Sequence, residues 1–313
     1  MLDILVIALR LAQYGGAVIL LGAPLFLLYG LQERDAASQA WSRGLIASAA
    51  AVVAIASAAG LIAQTSVMAG SITEGLKPSS IGFMITGTSL GPAFVVRSAM
   101  ALAALGVVLF VRPSRLQWMG LVFAGLVISA SFAWTGHGAA TEGAGRYPHL
   151  AAAILHSWAA ALWLGALAAL LIMTLRHRPG DARSDRILHA ALHGFSGVGT
   201  LAVALLIVSG AVNSLFLVGL DRISGLWTTL YGGLLLAKLG MFGLMLAMAA
   251  SNRFLLTPGL SDALDDPEGL QAAVARLKGS LVLETLLALA LLGLVAIMGT
   301  LAPVSAMDMS MSS

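Results

Sequence analysis

The sequence predicts an all-α polytopic membrane protein with eight transmembrane helices, on three observations. Apolar runs of about 20 residues recur along all 313 positions, the length that crosses roughly 30 Å of hydrocarbon. The chain is 59% hydrophobic and only 10% charged, with a mean hydropathy of +0.95. Its basic residues gather in alternate loops, as they do in a chain threaded back and forth through a bilayer.

The first span covers 4–31. It is too long for the apolar core of a signal peptide and ends without a small-residue cleavage pattern, so it reads as a span. The second covers 44–66, and its Ala-rich stretch 47–59 is a surface for close helix packing in lipid. Residues 67–91 form the longest outer segment, with a short interfacial helix expected around 81–85. Spans three and four cover 92–112 and 116–135. Span five covers 150–175 and follows Pro148, a residue suited to a helix start. Span six covers 190–219 and span seven 227–252. An acidic, partly helical loop at 257–275 leads to span eight, 277–301.

The ends of the odd-numbered spans carry Arg34, Arg43, Arg112, Arg115, Arg176, Arg178, Arg183, Arg186, Arg253, Arg276 and Lys278, 11 of the 17 basic residues. The opposite loops carry Lys77, Arg146 and Arg222. This asymmetry predicts cytoplasmic odd-numbered ends and two periplasmic termini. Trp41 and Trp118 then fall at the inner interface, and Trp134 and Trp227 at the outer one. The basic balance, a pI near 9.6, therefore reports topology and does not point to nucleic acid. With no cysteine, thiolate metal sites and iron–sulfur clusters are excluded, and soft-metal chemistry falls to Met and His.

An internal repeat is visible. Thr88, Gly91 and Arg97 align with Thr229, Gly232 and Lys238 at an offset of 141. Gly22-Ala23 aligns with Gly165-Ala166 at an offset of 143, where Gln13 falls on His156. The chain accordingly divides into a four-helix half at 1–135 and a second at 136–313, which holds the histidine-containing outer loop and a Met-containing tail. Two halves of even span number have the same orientation, the parallel class of membrane repeat.

The residues that carry chemistry lie mostly in the second half. His137, His149 and His156 cluster on the outer side of 133–165. Imidazole suits copper, zinc and iron. His149 and His156 share a helix face, yet differ in depth by about 10 Å at the α-helical rise. They read as a shallow site of His137 and His149, with Glu142 as a weaker member, and a deeper stop at His156. A packing role for these histidines stays open. Met307, Met309 and Met311 alternate along the tail, and thioethers select Cu(I). Met298 and Met84 are weaker members of the same outer set. Lys238, Glu284 and Arg97 are intramembrane charges, fit either for ion coupling or for pairing inside the bundle, with Lys238 and Glu284 as one pair. His189 and His193, four apart near the inner side, form a two-point face or a solvated one. No Walker, G-x-S-x-G or H-E-x-x-H pattern occurs, which argues against an ATP-driven pump or a hydrolase.

Three segments carry a family resemblance: 134–167, with Gly136-His137, His149-Leu150 and the run from His156 through Trp163 to Gly165; 88–97; and 228–254. The chain resembles the CopD family of bacterial copper-resistance membrane proteins. The resemblance implies eight spans with both ends outside, an inner-membrane location, and copper passage without enzymatic chemistry. It also implies a separate periplasmic copper carrier of the CopC type, and copper contact at His137, His149 and His156. The expected function is copper transport or homeostasis, with uptake of periplasmic Cu(I) through a His/Met site between helices. The alternatives are a haem-b electron-transfer protein or metalloreductase, and a copper sensor that moves no ion.

Overall fold

The computed structural model describes residues 2–136, 138, 141–177, 181–262 and 267–306. Eight helices among these residues are long and apolar enough to span a membrane. They are α1 (Leu2–Gly30), α2 (Ala40–Ala69), α3 (Leu90–Phe110), α4 (Arg115–Thr135), α5 (Arg146–Arg176), α6 (Ala182–Val218), α7 (Leu230–Ser251) and α8 (Pro267–Met298). No strand occurs among the described residues. With an even number of spans, both chain ends lie at one face of the bundle. The other face carries most of the arginines and is called the basic face below.

Local signals set the ends of these helices. Ser114 Oγ accepts from Gln117 N–H at the start of α4, and an Asp181 carboxylate oxygen accepts from Arg183 N–H at the start of α6. Gly70 and Gly219 close α2 and α6 with φ of 81° and 79°, a region where a Cβ is costly. The starts of α3 and α7 share one construction. A short helix, Pro78–Gly87 or Gly225–Thr228, precedes each. Thr88 Oγ1 donates to Met84 O and accepts from Gly91 N–H, while Thr229 Oγ1 donates to Gly225 O and accepts from Gly232 N–H. Gly91 and Gly232 then lie directly against the backbone of those short helices.

α1 is the central helix, packed against α2, α4, α5, α6 and α8. Burial in lipid gives no hydrophobic drive for helices to meet, so close packing of small residues must supply it. A Cβ at Gly22 would lie 2.6 Å from Gly165 Cα, and one at Gly125 would lie 2.6 Å from Leu21 Cα. The α1–α5 and α1–α4 crossings are therefore backbone on backbone. The main core runs along these helices and includes Leu20, Phe26, Ile46, Ile128 and Leu170.

Two expected features take definite form in the structure. Trp41 and Trp118 are buried within the protein, at 7% and 3% exposure. Both belong to the main core, whereas Trp134 and Trp227 stay exposed. The loop after α7 is partly helical, as expected. α7 runs on through a π-helical turn, Asn252–Leu256, into Thr257–Asp262.

Candidate metal centre

α5 positions the two described histidines of the cluster. Gly143, at φ 67°, opens a 3₁₀ turn that feeds α5. This turn brings Thr141 back onto the helix, where its Oγ1 lies 2.6 Å from His149 Nδ1. The His149 ring stacks on Phe216 of α6, with centroids 4.8 Å apart and planes within 12°. Two turns deeper, His156 Nδ1 lies 3.0 Å from Ser209 Oγ. The Ser209 hydroxyl gives its one proton to Leu205 O in its own helix, so at His156 it accepts. Nδ1 therefore carries the hydrogen and Nε2 the lone pair. That leaves Nε2 as the nitrogen that could ligate a metal, with Ser209 as the outer partner that orients the ring.

Both imidazoles line one cavity of about 260 Å³, enclosed by α1, α4, α5, α6, α7 and α8 toward the face where the chain ends lie. Lys238, Asn213, Tyr231 and Met298 share its walls. Asn213 Oδ1 is buried with no hydrogen-bond partner among the described residues. Buried acceptors are normally paired, so this oxygen is one available to an occupant. Lys238 forms no ion pair among the described residues. The cavity thus combines imidazole, thioether and amide oxygen with one ammonium group. No three His, Asp or Glu side chains come within reach of a single ion among the described residues. This donor set suits a soft ion of low coordination better than Zn²⁺, Mg²⁺ or Ca²⁺, which take four or more harder ligands.

The other sequence-predicted residues are spread through the molecule. His137, Met307, Met309 and Met311 lie outside the described residues. Met298 joins the cavity, as above. Glu142 is exposed and is not on the cavity wall. Met84 is buried beneath α3, where Thr88 holds its carbonyl, so it packs the first half and does not reach the centre. Arg97 is 1% exposed and fully engaged. It donates to Gln13 Oε1, to Ser131 Oγ at 2.9 Å and to Thr135 Oγ1 at 3.1 Å, and its guanidinium sits 3.9 Å from the Phe132 ring centre. Lys238 and Glu284 do not pair. Glu284 lies in a separate cavity toward the basic face, bonded to Asn252.

Ser209, Asn213, Thr141 and Phe216 were not singled out as site residues from the sequence. Ser209 and Asn213 are four apart in the outer half of an apolar-rich span, and polar groups at that depth face the bundle interior by default. That signal was available. Thr141 and Phe216 reach His149 only through the turn and the α5–α6 contact, which no local pattern encodes.

Residues 1–147 match the family described as copper resistance protein D-like, N-terminal domain, and residues 189–298 match copper resistance protein D. The chain is 36% identical over 305 residues to copper resistance protein D of Pseudomonas syringae pv. tomato, covering 96% of this chain and 97% of that one. The chain belongs to this copper resistance protein D family. It is also 27% identical over 257 residues to copper transport protein CutJ of Bacillus subtilis (strain 168), covering 79% of this chain and 46% of that one. Inner membrane protein YebZ of Escherichia coli (strain K12) is 28% identical over 261 residues, 80% of this chain and 84% of that one. No solved structure shows significant similarity. Eight apolar helices and this family membership make the chain a multi-pass protein of the inner membrane. Within the family frame, His149 and His156 fall between the two matched stretches, whereas Lys238 and Glu284 fall inside the second.

Proposed function

We propose that this chain carries copper across the inner membrane, from the periplasm toward the cytoplasm, through the cavity lined by His149, His156 and Met298. Copper is the cargo, and no bond of the cargo is made or broken beyond ligand exchange. The observation that carries this reading is His156. Its Nδ1 lies 3.0 Å from Ser209 Oγ, and its ring lines a cavity that also presents a thioether, which supports Nε2 as the ligating nitrogen. Imidazole with thioether favours Cu(I). The names of the relatives, copper resistance protein D and copper transport protein CutJ, agree with a copper cargo.

Charge supports the topology on which the inward direction is proposed. Lys and Arg gather at the basic face, which the positive-inside rule assigns to the cytoplasm. The cavity then opens nearer the periplasm, where both chain ends lie. His137 and the tail thioethers of Met307, Met309 and Met311 would collect the ion there, or receive it from a separate periplasmic carrier of the CopC type. A haem-b protein is disfavoured. Bis-His ligation needs histidines on two facing helices, but His149 and His156 share α5, and about 260 Å³ is below the ~300–1,000 Å³ usual for small-molecule pockets.

The test is Cu(I) uptake into proteoliposomes. With His156→Ala, initial uptake is expected to fall at least about tenfold, the lower bound for losing even an outer partner of a metal ligand. Wild-type flux in that variant would remove the cavity from the path. Copper bound by the wild type without flux would instead make the chain a sensor.

A further inference from the structure

We propose that the second cavity is a metal site of its own, in which His189 and His193 hold a Cu(I) ion between them and Glu284 supplies the counter-charge. The inference rests on the reading that copper is the cargo, and it adds the place where that cargo is held before release at the basic face.

The cavity is about 540 Å³ and lies between the basic-face portions of α5, α6, α8 and the end of α7. His189 and His193 stand at its mouth. They are four apart on α6 and share one face, with ring centroids 6.5 Å apart and planes within 15°. Two histidines at i and i+4 on a helix can ligate one metal; the rings stand stacked, and rotation about their side-chain bonds would bring one nitrogen of each to a shared ion. Deeper in the cavity, Glu284 of α8 is 2% exposed. No basic side chain lies within ion-pair distance of it among the described residues. Arg253 also lines the cavity, but it is turned to Ser196 O and Thr200 Oγ1.

The Glu284 carboxylate is nonetheless held in place. It accepts from Asn252 Nδ2 at 2.9 Å, and Asn252 Oδ1 accepts from Ser280 Oγ at 2.6 Å. Asn252 stands at the head of the π-helical turn Asn252–Leu256, and single π turns within helices gather at functional sites. An oriented, buried carboxylate without an ion pair marks an ion path by default. Here it compensates a cation at the cavity mouth without ligating it, because no three His, Asp or Glu reach one ion among the described residues. Two imidazoles without a third ligand exclude structural zinc, magnesium and calcium sites, which need four or more ligands. A soft monovalent ion satisfies both the ligand count and the single counter-charge.

The two cavities follow one another along α5 and α8, and Trp163 lines the one toward the basic face. Its ring meets Phe242 edge-on at 5.8 Å and 84°, and it is 2% exposed. An ion that leaves His156 and passes this aromatic pair arrives in the cavity of Glu284, on the way to the two histidines.

The test is anaerobic Cu(I) titration of the full chain in detergent against bicinchoninate, for the wild type, His149→Ala/His156→Ala and His189→Ala/His193→Ala. The inner pair of substitutions is expected to remove one equivalent of copper, whatever the outer pair removes. Copper X-ray absorption of the outer double variant should show two imidazole scatterers. An unchanged stoichiometry in His189→Ala/His193→Ala overturns the inner site. Unchanged binding in His149→Ala/His156→Ala would instead overturn the outer centre while leaving the inner one standing. Should the inner double variant aggregate, Glu284→Gln carries the test. It keeps the shape, and it is expected to weaken inner-site binding about tenfold at constant stoichiometry. Wild-type affinity there overturns the counter-charge.

Discussion

Replacing Ser209 by Ala tests the chemistry of the outer centre without touching a ligand. In the structure Ser209 Oγ lies 3.0 Å from His156 Nδ1 and its own proton is bonded to Leu205 O. The substitution removes one acceptor and leaves Nδ1–H facing an alanine methyl inside the bundle. As a bare hydrogen bond this costs about 1 kcal/mol of stability. Its larger effect should be on copper. Without the acceptor, nothing fixes Nε2 as the lone-pair nitrogen or the ring in its orientation. Loss of an outer partner of this kind costs about 10- to 100-fold in metal affinity, which is ~1.4 to 2.8 kcal/mol. Competition titration with a Cu(I) chelator reads this directly, and thermal unfolding of the apo protein reads the stability term. Affinity should fall by one to two decades with only a small shift in Tm. An unchanged copper affinity with the fold intact would refute the tautomer assignment and the part of Ser209 in holding His156 for the ion.

Four further outcomes are expected. Gly165→Val sets side-chain atoms against Gly22, where a Cβ already lies 2.5 Å from its Cα; the variant should lose at least ~1–3 kcal/mol, read as a lower Tm or poor recovery of monodisperse protein. Lys238→Met removes the ammonium from the outer cavity, so Cu(I) retention should rise about tenfold, a fraction of the ~4 kcal/mol that two unit charges at 4 Å exchange at an effective dielectric of 20; equal or weaker binding would mean that Lys238 assists the ion. Arg97→Ala strips Gln13, Ser131 and Thr135 of a charged partner and should cost ~1.5–3 kcal/mol or more in stability, while copper stoichiometry measured on the folded fraction stays at the wild-type value. Ending the chain at residue 306 deletes Met307, Met309 and Met311; uptake should fall at limiting copper and recover at saturating copper.

The spans were legible because a run of about 20 apolar residues has one economical solution in lipid. The short outer helix expected near 81–85 is present as Pro78–Gly87, announced by Pro78. The shared Thr-x-x-Gly openings of α3 and α7 reappear as shared hydrogen bonding, so that part of the repeat reflects local chemistry. The centre was legible only in part. The sequence places His149 and His156 at different depths, and it cannot show that one cavity lies against both, because that depends on where α6 and α8 cross α5. Glu142 follows the histidine loop in sequence but turns to solvent, while Thr141 next to it turns inward. Lys238 and Glu284 look like partners because both are rare charges in adjacent spans. The structure separates them along the membrane normal, one in each cavity.

The contact between Gly22 and Gly165 has a mechanical consequence. Two helices that touch through their backbones cannot slide without lifting apart, so α1 and α5 act as a keel. Of the apolar stretch of α5, 61% is buried, against 11% for α7 and 28% for α8. Rearrangement that lets an ion past Trp163 therefore falls to α7 and α8, which swing against a fixed beam. Amide hydrogen exchange should divide the second half along that line, with the mid-membrane amides of α5 slowest and those of α7 fastest.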